Sequence, residues 1–235
     1  MTPLTIFITG ANRGIGLGLS QRFLEEGHHV ISTYRAKSDT TELFNLAKKY
    51  HTLKTVLLDI TNQESIENVL PNIRSVDILI NNAAIFSRSD RANTPFQKLS
   101  IDTFSDVFKT NLEGTARVTQ ALLPNLRLSH RPVIINISSG AGSISVKDNN
   151  FYYCYSVSKA GLNMLTRALS SELIKMNITT VAFSPGWVQT EMGGDDAEIS
   201  VEECSRTLAK SILSITSEDN GRFYGRLGRS DPYPW

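Results

Sequence analysis

The sequence has little of what marks secreted, membrane-spanning or nucleic-acid-binding proteins. Its 235 residues include two cysteines, Cys154 and Cys204, which are too few for a disulfide framework and suit a reducing compartment. No apolar run approaches the ~20 residues of a membrane helix, and no basic segment precedes the first apolar run. Lys and Arg number 24 against 23 for Asp and Glu, without the basic patch that nucleic acid requires. We therefore expect a cytoplasmic protein that binds neither membrane nor nucleic acid.

The sequence has no clear signal for three other common kinds of catalysis, by a serine nucleophile, a cysteine thiol or a metal. No G-x-S-x-G turn occurs, so a serine hydrolase has no nucleophile in its usual place. Cys154 is expected to be a small buried residue rather than a reactive thiol. Because the histidines are not paired at the spacings of a helical metal site, we expect no catalytic metal. They are His28, His29, His51 and His130.

Apolar runs of strand length alternate with segments of helical period along the chain. The six runs are residues 4–9, 29–34, 53–59, 76–81, 133–138 and 178–183. They are mostly continuous rather than alternating, which predicts strands buried on both faces by helices. No repeat or Pro/Gly-rich linker divides residues 1–235. The predicted fold is therefore a single α/β domain, a doubly wound Rossmann-type parallel sheet with helices on both faces.

Two further elements are predicted in the second half of the chain. The clearest helix carries an apolar stripe in steps of three and four residues. Its members are Leu162, Leu165, Leu169, Leu173 and Met176. Residues 220–235 contain several glycines and prolines, and we expect a final strand there followed by an extended segment over the fold.

A glycine-rich turn, Thr-Gly-Ala-Asn-Arg-Gly-Ile-Gly at residues 9–16, joins the first predicted strand to a helix. Glycines let backbone N–H groups approach a pyrophosphate, and a helix N-terminus adds partial positive charge. The G-x-x-x-G-x-G spacing departs from the G-x-G-x-x-G fingerprint, so an ordinary tight turn stays the alternative. The residues expected to bind a cofactor here are Gly10, Asn12, Arg13, Gly14, Ile15 and Gly16.

Tyr155 and Lys159 open the Leu-rich helix, and their four-residue spacing puts both on one helical face. A lysine ammonium beside the phenol is expected to lower the tyrosine pKa from about 10, which suits a general acid/base. The strand at 133–138 ends in Ser138 and Ser139, at the sheet edge where open α/β folds bind ligands. A hydroxyl there can hold a substrate carbonyl. The alternative for the two serines is a polar loop with local backbone hydrogen bonds, and the alternative for Tyr155 is a core tyrosine whose hydroxyl has a partner.

Together these residues resemble the short-chain dehydrogenase/reductase family over nearly the whole chain. The turn at residues 9–16 is similar to the family's TGxxxGxG motif. Residues 81–84 resemble its NNAG motif, with Ala84 in place of the glycine, and residues 185–190 resemble the PG motif after the sixth strand.

The resemblance implies hydride transfer between a nicotinamide and a carbonyl carbon, with NADP(H) as cofactor and a small carbonyl or alcohol as substrate. Tyr155 would exchange the proton, and Lys159 would lower its pKa and bind the nicotinamide ribose. Ser139 would orient the carbonyl, and Asn111 would hold a water that relays protons. A homodimer or homotetramer is expected.

The resemblance extends the cofactor site beyond the glycine turn. The added residues are Asp59, Ile60, Asn82, Ala83, Tyr155, Lys159, Pro185, Gly186, Val188 and Thr190.

The catalytic serine is chosen by its spacing. Sixteen residues separate Ser139 from Tyr155, more than is common in the family, so residues 147–150 are expected to form an added loop tip. Ser138 stays an alternative, and Ser139 is favoured because Gly142 follows it at the family's three-residue offset.

The segment after the PG motif predicts an open substrate pocket. Residues 193–199 are too few for a helical lid, and with the terminal Pro-Trp they resemble the carbonyl-reductase branch that includes the C-factor and Sniffer proteins. The predicted apolar walls are Phe86, Phe151, Trp187 and Met192.

The end of the second strand predicts NADP(H) rather than NAD(H). An acidic residue about 20 residues beyond the glycine turn would chelate the ribose hydroxyls, and none is present. Arg35 stands there instead, with Lys37 as an alternative, and Arg13 is expected to face the same ribose. Arginine makes charge-assisted hydrogen bonds to phosphate.

Other functions are compatible with this scaffold. The main alternative is a non-catalytic, regulatory or signalling protein that binds a nucleotide on the same fold. A dehydratase or epimerase is also open. The intact Ser139, Tyr155 and Lys159 favour an NADP(H)-dependent carbonyl reductase.

Overall fold

The structure, a computed structural model, describes residues 2–69, 73–87, 89–90, 94–146 and 152–235. Seven strands lie within these residues: β1 (Thr5–Ile8), β2 (His29–Tyr34), β3 (Leu53–Leu57), β4 (Ile78–Asn81), β5 (Val133–Ile137), β6 (Thr179–Ser184) and β7 (Phe223–Gly225). All neighbouring pairs are parallel, in the order β3-β2-β1-β4-β5-β6-β7. The doubly wound parallel sheet is confirmed, and the strand expected in the tail is β7.

Helices connect the strands and cover both faces of the sheet. They are α1 (Gly14–Glu25), α2 (Thr41–Lys49), α3 (Gln63–Val69), α4 (Asp102–Phe108), α5 (Thr115–Leu126), α6 (Tyr153–Leu173) and α7 (Val201–Leu213). In the described part of the chain, none of them is long and apolar enough to cross a membrane.

The apolar stripe predicted on α6 loses its last member, Met176. Leu162 and Leu173 are buried, but the α-helix stops at Leu173 and continues as a short 3-10 turn. Asn177 then adopts a left-handed φ of 60°, which ends the helical backbone. Met176 therefore lies outside the stripe and is exposed.

Alternate side chains of β1 pack on opposite faces of the sheet. Ile6 and Ile8 belong to one apolar cluster with Phe23 of α1, whereas Phe7 packs in another with Leu122 of α5. All five side chains are fully buried, and burial of each contributes roughly 1.5–3 kcal/mol. This two-sided burial explains the continuous apolar runs in the sequence.

The strand order reverses between β1 and β4. Ligands of open α/β sheets bind at the carboxyl edge of such a reversal. The glycine turn follows β1, residues 81–84 follow the end of β4, and the two serines follow β5. The fold therefore brings the predicted site residues to one edge of the sheet.

Candidate active site

The glycine turn packs tightly against the end of β4. Gly10 has a φ of 63°, and a Cβ at this position would lie 2.9 Å from the Cα of Ala83, so glycine is required. Helix α1 begins at Gly14 with no side-chain cap and no acidic residue in its first turn. Its first N–H groups lack intrahelical partners and can receive an anion.

Asn82 and Thr9 hold this turn in place. Asn82 Nδ2 donates to the backbone oxygens of Thr9 at 2.9 Å and Gly10 at 3.0 Å. In return, Thr9 Oγ1 accepts the backbone N–H groups of Asn82 and Ala83, both at 3.0 Å. These four bonds set the shape of the turn before any ligand binds.

A cleft of about 400 Å³ extends from the turn along the carboxyl edge of the sheet. It brings together most of the residues predicted to bind a cofactor: Gly10, Asn12, Arg13, Gly14, Ile15, Arg35, Ile60, Asn82, Ala83, Tyr155, Lys159, Pro185 and Thr190. Leu58, Thr61 and Thr110 also line it and were not predicted. A cleft at the carboxyl edge of the sheet whose lining includes a helix N-terminus fits a dinucleotide.

Four predicted cofactor residues do not line this cleft. Gly16 lies behind the turn, packed against Asn82 and the backbone of Gly10. Asp59 Oδ1 accepts two hydrogen bonds from Thr61, from its backbone N at 2.9 Å and from its hydroxyl at 2.7 Å. These bonds hold the Asp59 carboxylate in a local turn. Gly186 and Val188 line a second cavity instead.

The arginines predicted to select the cofactor lie at the cleft, but one of them has a partner. Arg13 forms an ion pair with Glu191, an acidic residue that lines the same cleft and was not predicted. Arg35 is exposed at the end of β2. The carboxylate of Asp39, in the loop after β2, accepts the backbone N–H of Thr41 at 2.9 Å and so serves helix α2.

The second cavity, of about 890 Å³, meets the first at Tyr155, which lines both. Lys159 lines the first cavity and Ser139 lines the second. The tyrosine therefore stands between the cleft that fits a dinucleotide and a cavity that can hold a substrate.

Three of the four predicted pocket walls line the second cavity. These are Phe86, Trp187 and Met192, whereas Phe151 lies outside the described residues, as does the loop tip predicted at residues 147–150. Tyr152 and Tyr233 also line the cavity and were not predicted.

The segment after the PG motif forms turns rather than a helix, as its length predicted. Ile199 bridges back to Val188, and Trp187 Nε1 donates to the backbone oxygen of Gly193 at 2.8 Å. Trp187 is 51% exposed and Met192 44% exposed. The cavity therefore opens to solvent beside these two side chains.

The two serines after β5 have different surroundings. Ser138 is buried, and its hydroxyl donates to Asn163 Oδ1 at 2.6 Å. Ser139 Oγ accepts the backbone N–H of Ala141 at 3.1 Å and also faces the Tyr155 phenol, to which it hydrogen bonds. Ser139 is therefore the serine whose hydroxyl stands at the tyrosine.

The charges around Tyr155 differ from the expectation that Lys159 lowers its pKa. Burial raises the pKa of Tyr155 to about 12, and the hydrogen bond from Ser139 opposes that rise. Lys159 Nζ lies 5.7 Å from the centre of the Tyr155 ring and donates to the backbone oxygen of Ile137 at 2.7 Å. Burial lowers the pKa of this lysine to about 8. In this structure burial outweighs the lysine, whose ammonium is held against β5, so the pKa of Tyr155 is raised rather than lowered.

Asn111 lies in a π-helical turn, Lys109–Gly114, between α4 and α5. Its Oδ1 accepts the N–H of Ile85 at 2.8 Å, and its Nδ2 donates to the oxygen of Ile85 and the hydroxyl of Ser158, both at 3.0 Å. Ser158 in turn donates to the Tyr155 backbone oxygen at 2.7 Å. Asn111 therefore connects the segment after β4 to α6, and its side chain lines neither cavity.

Two other chemistries would need groups of their own here, a metal-binding cluster or an ionised thiol. Among the residues that the structure describes, no three His, Cys, Asp or Glu side chains are grouped as for a metal ion. Cys154 is buried beside Tyr155, and burial raises its thiol pKa to about 11. This thiol is protonated at neutral pH, which disfavours nucleophilic attack.

Known proteins match this chain in sequence and in fold. The C-signal protein of Myxococcus xanthus is 34% identical over 161 residues, which cover 67% of this chain and 93% of that protein. Two solved carbonyl reductases match 99% of this chain. Sniffer of D. melanogaster does so with a TM-score of 0.92, 29% identity and 100% of its own chain covered. The NADPH-bound carbonyl reductase from chicken fatty liver has a TM-score of 0.91, 33% identity and 94% of its chain covered.

The short chain dehydrogenase family model matches residues 4–199. The matched residues include the glycine turn, the PG motif and Tyr155, where the two cavities meet. The chain therefore belongs to the short chain dehydrogenase family.

Proposed function

We propose that this oxidoreductase reduces aldehydes and ketones to alcohols with NADPH as hydride donor. The observation that carries the proposal is the position of Tyr155, between a cleft lined by Lys159 and a cavity lined by Ser139. A proton donor at this point can serve a carbonyl in the second cavity while a cofactor lies in the first.

The described residues of the first cleft fit a phosphorylated dinucleotide. The free N–H groups of α1 suit the pyrophosphate. Arg13 and Arg35 line the same cleft, and their guanidinium groups suit a further phosphate on the ribose. The chicken carbonyl reductase, solved with NADPH, is similar over nearly the whole chain and supports this choice. When bound, the reduced nicotinamide supplies a hydride to the carbonyl carbon.

The protein's own part in the reaction is proton delivery and orientation. Because burial keeps the pKa of Tyr155 near 12, its phenol is protonated at neutral pH, as a reduction requires. Ser139 donates a hydrogen bond that holds the carbonyl oxygen, and Tyr155 transfers its proton to that oxygen as negative charge develops. Lys159 then stabilises the tyrosinate electrostatically and binds the cofactor from the first cleft. Asn111 positions Tyr155 through Ser158.

The second cavity suits uncharged substrates. Its described lining is largely aromatic or aliphatic, with hydroxyl groups and no charged side chain. An anionic substrate would lose its hydration there without gaining a cationic partner from these residues. We therefore propose neutral aldehydes and ketones as the substrate class.

A spectrophotometric assay tests this function. Loss of NADPH absorbance is followed with a panel of neutral aldehydes and ketones, for the wild type, Tyr155→Phe and the control Tyr50→Phe, whose residue lines neither cavity. Tyr155→Phe should lower kcat by about 100- to 10,000-fold while NADPH still binds, and the control should not change. Binding of NADPH without turnover of any carbonyl by the wild type would support the regulatory alternative instead.

A further inference from the structure

The last residues of the chain form a wall of the second cavity. Pro232 forms an antiparallel bridge with Tyr224 of β7. Gly225 N donates to the oxygen of Asp231 at 2.7 Å, and Tyr233 N donates to the oxygen of Phe223 at 2.9 Å. Residues 231–235 therefore follow the edge of the sheet toward the segment after β5.

Trp235 fastens this segment at its far end. Its ring stacks on Phe223 at 5.3 Å between centres and 28° between planes, and the Arg167 guanidinium lies 5.9 Å from the ring centre. Ser145 donates to the Trp235 oxygen from its backbone N at 3.1 Å and from its hydroxyl at 2.7 Å. Tyr233 is thus held between two fixed points, so it loses little conformational freedom when a ligand binds.

The Tyr233 hydroxyl lies against the backbone beside Ser139. Its ring packs on Phe223 at 4.9 Å between centres, and a Cβ at Gly140 would collide with the hydroxyl. Gly140 therefore lets the hydroxyl approach the same wall that holds the Ser139 side chain. No described residue exchanges a hydrogen bond with this hydroxyl.

We propose that Tyr233 determines specificity by donating a hydrogen bond to a second oxygen of the substrate. The preferred substrates are then neutral ketones and aldehydes that carry an ether, hydroxyl or carbonyl oxygen close to the reacting carbonyl. A substrate without that oxygen excludes water from the hydroxyl and leaves it unpaired, which costs binding energy. This inference rests on the proposed carbonyl reduction.

Two ketones of nearly equal shape test it. Phenacyl methyl ether differs from butyrophenone by an ether oxygen in place of one methylene, and each has a single reducible carbonyl. Tyr233→Phe keeps the ring on Phe223 and removes the hydroxyl. We expect kcat/KM to fall about three- to tenfold for the ether, the size of one neutral hydrogen bond. For butyrophenone, which leaves the wild-type hydroxyl unpaired, kcat/KM should not fall.

Tyr152→Phe is the matched control, because it removes a hydroxyl from another wall of the same cavity. It should affect the two ketones equally. Gly140→Ala is a second variant, in which the new methyl group displaces the Tyr233 hydroxyl and should reproduce the loss specific to the ether. Equal losses for both ketones in Tyr233→Phe, or an ether-specific loss in Tyr152→Phe alone, would overturn the inference.

A binding measurement separates this inference from the proposed function. Trp187 lines the cavity, so its fluorescence reports ketone binding without turnover. Weaker binding of the ether to Tyr233→Phe than to the wild type supports the inference even if no ketone is reduced. A lack of reduction would then overturn the proposed function alone. Equal ether affinities would overturn the inference even in an active reductase.

Discussion

The carboxylate of Asp90 accepts the backbone N–H of Tyr155 at 2.8 Å. Asp90 is fully buried, and within the described residues its Oδ1 has no hydrogen-bond partner. Helix α6 begins at Tyr153, so the carboxylate faces a first turn whose free N–H groups and helix dipole favour negative charge. Asp90 therefore positions the start of the helix that presents the Tyr155 phenol.

We predict that Asp90→Ala lowers both stability and kcat. Loss of the acceptor should reduce the free energy of unfolding by about 1–3 kcal/mol. The freed first turn should misplace the phenol and lower kcat more than it raises the KM for the ketone. Asp90→Asn keeps an acceptor oxygen and should recover most of the kcat. Urea denaturation and steady-state kinetics measure both effects, with the exposed Asp106→Ala as control.

An Asp90→Ala enzyme that is less stable but keeps its full kcat at a temperature where it is folded would give Asp90 a purely structural role. Failure of Asp90→Asn to restore kcat would show that the charge, rather than the acceptor, is what the helix start needs.

Lys159 should make the stability of the protein depend on pH. Burial lowers its pKa from 10.5 to about 8, so between these values the unfolded chain binds more protons than the folded one. The free energy of unfolding therefore rises with pH across this window, by about 3 kcal/mol in total. The raised pKa of Tyr155, near 12, acts in the opposite direction, but only above about pH 10, where an unfolded tyrosine loses its proton.

The comparison of wild type with Lys159→Met isolates this contribution. Urea denaturation between pH 7 and 10 should show the variant's stability advantage shrinking as the wild-type lysine loses its proton. Lys175→Met, at an exposed lysine, should show no such change relative to the wild type. A constant difference between wild type and Lys159→Met over this range would mean that the buried ammonium keeps an ordinary pKa.

The sheet could be predicted from sequence because each strand is buried on both faces. Phe7 and Ile8 point in opposite directions, yet both meet helices, and the resulting apolar run is visible without any structure. Met176 was wrongly included in the apolar stripe of α6, because the periodicity does not show that the α-helix gives way to a 3-10 turn at Ile174. A single domain, the cytoplasmic location and the homodimer or homotetramer stay predictions.

The parts of the site that could not be predicted depend on tertiary contacts. Tyr155 and Lys159 are four residues apart on one helix, so their neighbourhood follows from local geometry. Asp90 and Tyr233 reach the site from distant parts of the chain, and no local sequence motif predicts that they do. The pKa expectation for Tyr155 failed for the same reason. The Ile137 oxygen that holds Lys159 comes from β5, and desolvation depends on everything packed around the phenol.

Glu191 changes what the two arginines are expected to do. It pairs with Arg13, and both side chains are more than half exposed, so the pair itself contributes little stability. A ribose phosphate would compete with the Glu191 carboxylate for Arg13. Arg35, next to the end of β2, forms no ion pair with a described residue. Glu191 is therefore expected to weaken NADPH binding.

We predict that Glu191→Gln lowers the KM for NADPH by about two- to fivefold, the range of an exposed ion pair, and leaves the KM for NADH unchanged. Arg13→Ala and Arg35→Ala should each lower kcat/KM with NADPH by roughly 10- to 100-fold, because each removes a charge-assisted bond to phosphate. Glu198→Gln, an exposed acid in the same segment, is the control for net charge. Equal losses with NADPH and NADH in the arginine variants, or a wild-type preference for NADH, would contradict the assignment of these arginines to the phosphate.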